Sequence, residues 1–209
     1  MLDVNTQSPE THLKPCWSCK GPSPATALFC HTCKAVQAPA SVDHFARLGM
    51  EPTFDVDVAA LDRLYFDLQR QLHPDRFATK APKEKALSQR QATALNDAYE
   101  VLKNPLMRAD YLVHLLGIDV LPEGCNLVHD QSILMEAMEM REKLMMADTQ
   151  DALNAIQRET KTEIDDVLSA LSLAFAGHDI QGACRLTTRL KYLDKMMGEV
   201  RHSRARLMS

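Results

Sequence analysis

The sequence predicts an all-α protein: a helical hairpin, then a three-helix bundle, preceded by a small four-cysteine knuckle. Three observations predict it. Aromatic residues make up 5% of the 209-residue chain and there are 7 Gly, a composition that suits helices better than a β-sandwich. Beyond residue 42, apolar residues recur at spacings of three and four. Four of the six Cys form two C-x-x-C pairs near the start of the chain, which is metal-site spacing rather than a disulfide framework.

Residues 1–40 are rich in Pro and Ser and end in the linker Gln37–Ser41. Residues 42–117 read as four helices. A short one, Val42 to Leu48, stops at Gly49 and Pro52. A second, from Val56 or Asp57 to Leu72, carries Val58, Leu61, Tyr65, Leu68 and Leu72 on one face. Pro74 ends it, because the residue before a proline is driven out of the helical region. The third starts at Pro82, a natural first-turn residue, with Leu87, Gln91, Ala94, Leu95, Ala98 and Leu102 on its face. The fourth has Asn104 as N-cap, Pro105 at its first position and Gly117 at its end.

Residues 118–209 contain three longer helices with short loops. Asp130 caps the first, which runs to about Ala147. Asp148 or Thr149 caps the second, whose inward positions are Leu153, Ile156, Thr160, Ile164, Val167, Leu171 and Phe175. Gly177 ends it. Asp179 caps the third, with Ile180, Ala183, Leu186, Leu190, Leu193, Met197 and Val200 inward. Cys125 and Cys184 stand alone and are expected to be packing residues.

The net charge of −4 gives no overall basic field to draw the chain to nucleic acid or an anionic membrane. No stretch approaches the ~20 apolar residues of a membrane span. Met1 to Lys14 has no apolar signal core and no Arg, so a bacterial cytoplasmic location is expected; a processed mitochondrial matrix form stays open.

The loop between the second and third helices reads Leu72-His73-Pro74-Asp75-Arg76-Phe77. An unremarkable turn is the bland reading. Acid–base chemistry by His73 and Asp75 is another, but no nucleophile or oxyanion donor accompanies them. The chain here resembles the J domain, whose mark is His-Pro-Asp between helices two and three. Phe45, Leu48, the Tyr65-Phe66 region and Asn96-Asp97-Ala98-Tyr99-Glu100-Val101-Leu102 extend the match. The resemblance implies that His73, Pro74 and Asp75 dock on a 70-kDa heat-shock chaperone and stimulate its ATP hydrolysis, so that the chain is no enzyme but the regulator of a partner ATPase. Arg63 and Arg70, seven residues apart on one helix face, would steer it toward an acidic partner surface.

In the bundle's first helix, Ile133, Ala137, Met140 and Leu144 form the expected core stripe. Leu134, Met138 and Met145 form a second, with Met135, Glu139, Glu142 and Met146 beside it. The bland reading packs both stripes. Exposed Met beside carboxylates reads instead as adaptable apolar contact with charge selectivity around it. This run is similar to the partner-binding helix of HscB-type J-domain co-chaperones, which contacts the iron–sulfur scaffold protein IscU. The resemblance implies scaffold contacts by Leu134, Met135, Met138, Glu139 and Glu142. A ring on the last helix is matched by Tyr192. A third acidic position of the family pattern is Met146 here.

Cys16, Cys19, Cys30 and Cys33 offer four soft ligands, which favour zinc or iron. With no His or carboxylate completing an open site, one structural zinc ion is expected, driving the folding of a segment that has no core of its own. A redox role on a thioredoxin-like unit lacks that unit. Some HscB-type proteins carry a similar C-W-x-C…C-x-x-C element, matched at Trp17. A docking surface and a redox-sensitive contact are both open for the knuckle. The organisation expected is therefore 1–40 tetracysteine element, 42–117 J domain and 118–209 scaffold-binding bundle. The alternative function, from a different class, is a zinc-ribbon nucleic-acid-binding module with a helical tail; the few cations near the cysteines speak against it.

Overall fold

The computed structural model describes residues 13–117 and 131–207. Their element order is β1 (Leu13–Pro15), β2 (Pro22–Pro24), α1 (His44–Arg47), α2 (Val58–Leu72), a 3-10 turn (Pro74–Phe77), α3 (Pro82–Lys103), α4 (Pro105–Gly117), α5 (Gln131–Met146), α6 (Gln150–Ala176) and α7 (Ile180–Leu207). β1 and β2 pair antiparallel, with Lys14 opposite Ser23. No described helix is long and apolar enough to cross a membrane. The chain divides into two compact units. One holds the described residues up to Glu51 with Asp57–Glu100; the other holds Pro52–Val56 with the described residues from Val101 onward.

In the first unit the capping chemistry places the helices. Asp43 accepts from the Ala46 N–H at 2.9 Å and starts α1, which is shorter at both ends than its apolar pattern suggested. Asp57 accepts from Ala59 and Ala60 and starts α2. Leu61, Tyr65 and Leu72 turn inward, while Val58 in the first turn stays exposed. They meet the Leu87, Leu95 and Ala98 face of α3 through a polar seam. The Tyr65 hydroxyl donates to Asn96 at 3.1 Å, the Tyr99 hydroxyl donates to Asp62 at 2.8 Å, and the Tyr65 and Tyr99 rings stack at 3.8 Å. The Asn-Asp-Ala-Tyr run thus has a mechanical reading: Asn96 and Tyr99 bind α2, and Ala98, with no side-chain bulk, is fully buried.

In the second unit Asn104 caps α4 by accepting from Leu106 at 2.9 Å and Met107 at 3.1 Å. α4 packs on α7, tied by Lys191 to Asp110 at 2.6 Å. The Pro52–Val56 segment adds Phe54, stacked on Phe175 at 5.3 Å, with the Arg108 guanidinium 5.2 Å from the centre of the Phe54 ring. Thr149, not Asp148, is the N-cap of α6, and Gly177 its C-cap. The α6 seam is buried at Leu153, Thr160, Val167, Leu171 and Phe175. On α7 the inward residue is Met196, where the sequence pattern pointed to Met197. Met196 joins Leu144, Leu153 and Val200 in one cluster, because the step from Leu193 is three residues rather than four. Cys184 is buried and disulfide-bonded, not a lone packing thiol. Cys125 and the expected cap Asp130 lie outside the described residues.

Candidate functional sites

The cysteine element is built from two copies of one turn. In the first, the Cys16 N–H donates to the Gly21 carbonyl at 2.8 Å and the Lys20 N–H to the Cys16 carbonyl at 3.0 Å. In the second, Cys30 donates to Ala35 at 2.9 Å and Lys34 to Cys30 at 3.0 Å. Lys20 and Lys34, each directly after a C-x-x-C, take left-handed backbones with φ of 63° and 62° that fold the chain back. The four sulfurs lie within 4.8 Å of one another, with Cys16–Cys33 and Cys19–Cys30 each at 3.7 Å. Sulfurs ~2.3 Å from a central tetrahedral ion stand roughly 3.8 Å apart, so the cluster fits one ion. Burial works to raise the Cys16 thiol, but the N–H groups of Cys19 and Ser18 outweigh it and bring it down to about 6. The Cys33 N–H, against burial, also lowers Cys30. These two sulfurs thus favour the thiolate, whereas Cys19, despite the Gly21 N–H that lowers it, is pushed up to about 11 by the neighbouring thiols and burial. His31, next to Cys30, is exposed and outside the cluster.

The His-Pro-Asp turn is the outer end of the α2–α3 hairpin. Leu72, the last residue of α2, is buried, and its carbonyl accepts from the buried Ser88 hydroxyl of α3 at 2.6 Å. The chain then leaves the helix at His73, with ψ of 128°, as a residue before proline must. Pro74 opens a single 3-10 turn, and Phe77 returns to the core. Between these two anchors His73, Pro74 and Asp75 face solvent. The His73 Nδ1 accepts from the Asp75 N–H at 3.3 Å, so the imidazole is held by its own turn, while the Asp75 side chain is 90% exposed. Arg76 reaches back to the Arg70 carbonyl at 3.1 Å. Arg63 and Arg70 are both exposed on α2, Arg70 paired to Asp67. Phe66, which in the sequence belongs only to the Tyr65-Phe66 stretch resembling the J domain, is half exposed between those two arginines, opposite the Leu61–Leu72 face. An apolar residue off the buried stripe was the available signal.

On α5 the core stripe is as expected, with Ile133 and Leu144 buried. The described residues of the second stripe do not pack. Met138 is 65% exposed and Met145 82%, with Met135 and Met146 equally open. Glu139 and Glu142 are exposed among them. Ion pairs from α5 to its neighbours use Glu136, Arg141 and Lys143 instead: Arg189–Glu136 at 3.1 Å, Lys143–Glu159 at 3.1 Å and Arg141–Glu199 at 3.9 Å. Met138 and Tyr192 line one groove between α5 and α7, floored by Ala137, Met140 and Met196. Met135, Glu139 and Glu142 are exposed on α5 and do not line that groove. The side chain of Leu134 is outside the described set.

An exposed His-Pro-Asp turn on a helical hairpin, a helical bundle and a four-cysteine knuckle together define a J-domain co-chaperone. The comparisons narrow the class. The HSCB C-terminal oligomerisation domain matches residues 129–201. The human iron–sulfur cluster co-chaperone protein HscB is 34% identical over 190 residues, which are 89% of this chain and 80% of that protein. The co-chaperone protein HscB homolog of Aeromonas salmonicida is 36% identical over 76% of this chain and 94% of its own. The crystal structure of human co-chaperone protein HscB superposes with a TM-score of 0.84 at 33% identity, covering 91% of this chain and 98% of that one. Chaperone HscB from Vibrio cholerae gives 0.70 at 32%, covering 79% and 99%. The chain belongs to the HscB family of iron–sulfur cluster co-chaperones.

Proposed function

We propose that this chain stimulates ATP hydrolysis by a 70-kDa heat-shock chaperone and delivers an IscU-type iron–sulfur scaffold protein to it. The observation that carries the reading is the His73-Pro74-Asp75 turn, solvent-facing yet fixed at both ends by the buried Leu72 and Phe77. A side-chain trio held by its own fold gives up little entropy when it docks. Asp75 offers an exposed carboxylate, 3.6 Å from the His73 Nδ1, that a partner arginine can take with two hydrogen bonds. Arg63, Phe66 and Arg70 supply a neighbouring face on which charge and apolar contact combine.

The scaffold is bound by the Met-rich side of α5, through Leu134, Met135, Met138, Glu139 and Glu142, with Tyr192 across the groove. Methionine adapts to an irregular partner surface, and the two carboxylates select a basic one. The cysteine cluster holds one structural zinc ion, for which four thiolates are a closed ligand set.

The decisive measurement is ATP turnover by the cognate 70-kDa chaperone, with and without this chain and a scaffold protein. His73→Gln is expected to abolish the stimulation and to leave scaffold affinity within twofold of wild type, about 0.4 kcal/mol. Undiminished stimulation by that variant overturns the reading.

A further inference from the structure

Two glutamines are buried where neither helix pattern nor linker composition asks for a polar side chain. Gln37, at the start of the linker, and Gln91, on the inward face of α3, are each 2% exposed. Buried amides are costly unless paired, and these are paired with each other and with the cysteine cluster. The Gln37 Nε2 donates to the Ala35 carbonyl at 2.8 Å and to the Cys16 Sγ at 3.4 Å. The Gln91 Nε2 donates to the Gln37 backbone carbonyl at 3.0 Å. All these acceptors require an N–H, so both amide orientations are fixed by their partners. A second tie runs parallel: Lys83 of α3 sits 4.7 Å from the centre of the Trp17 ring, beside Cys16, and the Trp17 Nε1 donates to Val36 at 2.8 Å.

We infer that Gln37 and Gln91 form a relay coupling metal occupancy of the four-cysteine cluster to α3, so that the knuckle is a metal-locked clamp on the hairpin. The inference rests on the metal reading of the cluster and is independent of any partner. Hydrogen bonds to an ionised sulfur are stronger than those to a neutral one. An ion that holds Cys16 as thiolate therefore fixes Gln37, and a fixed Gln37 carbonyl holds Gln91. Gln37 is a positioning residue for a ligand, not itself a ligand, and outer-shell groups of this kind commonly govern metal affinity. Linkage requires the effect to run equally in both directions.

The test uses the full chain, stripped of metal and titrated with cobalt(II), then with zinc against a chromophoric chelator. One ion per chain with thiolate-to-cobalt absorption is expected. Gln37→Met keeps the length and removes the donor; a shifted cobalt band and roughly tenfold weaker binding are expected. Gln91→Leu leaves every ligand and Gln37 in place. It is expected to weaken metal binding roughly fivefold and to shrink the gain in α3 amide protection on loading by the same factor. Wild-type affinity in Gln91→Leu, or equal loss of α3 protection with and without metal, overturns the coupling alone. A wild-type chain that takes up no ion overturns the metal reading and the coupling with it. Should circular dichroism show Gln91→Leu unfolded, Gln37→Met decides: an unmoved band and affinity overturn the relay.

Discussion

Ser88 shows how much of the exposed turn depends on a residue that touches nothing outside. Its hydroxyl donates to the Leu72 carbonyl, one residue before His73, and both partners are buried. Helix α2 ends there because Pro74 cannot continue it, which leaves that carbonyl without a helical donor. Ser88→Ala removes the substitute donor. Stranding a buried acceptor costs about 1–3 kcal/mol, so thermal unfolding should fall by several degrees, followed by circular dichroism. An unchanged midpoint would mean that water replaces the hydroxyl. At this scale His73, Pro74 and Asp75 are legible in the sequence because their chemistry sits in three consecutive letters. Ser88 and Gln91 are not. Their partners are 16 and 54 residues away, and a Ser or Gln on an inward face carries no sign of which carbonyl it will meet.

Elements were legible where a local rule decides them and illegible where packing does. Asp57, Asn104 and Thr149 all cap as their residue types predict. The choice of Met196 over Met197 in α7 is made by its neighbours on α5 and α6, and either residue satisfies a helical period. The start of α7 sets two local rules against each other. Asp179 accepts from the Gly182 N–H at 2.8 Å, and a Cβ on Gly182 would stand 2.1 Å from an Asp179 carboxylate oxygen. Ala for Gly inside a helix gains up to ~1 kcal/mol, while losing an Asp cap costs ~1 kcal/mol. Gly182→Ala should therefore be nearly neutral in urea unfolding. In an Asp179→Ala background, with no cap left to expel, the same substitution should stabilise by up to ~1 kcal/mol. Equal effects in both backgrounds would show that the cap rearranges freely around the new methyl group.

For the whole molecule, the arrangement that matters is that the His-Pro-Asp turn and the Met-rich side of α5 belong to different compact units of one chain. Each surface is complete within its own unit: the turn is fixed by Leu72, Ser88 and Phe77, and the groove by α5 and α7 alone. Damage to one should leave the other intact. Met138→Glu puts a carboxylate where the exposed thioether lines the groove, and Tyr192→Ala removes the ring opposite. Together they should lower scaffold affinity at least tenfold, as loss of a central contact pair does, with scaffold-free ATPase stimulation unchanged. Covalent linkage then makes a sharper demand. Within one chain a bound scaffold is held near the chaperone at an effective concentration on the order of millimolar, far above the micromolar level of a mixture. A His73→Gln chain and a Met138→Glu/Tyr192→Ala chain each keep one surface. Mixed at micromolar concentration, they should show the scaffold-free stimulation that the second chain retains but not the additional stimulation that scaffold brings. Full restoration by the mixture would mean that the two surfaces need not share a chain, and that delivery does not work by tethering.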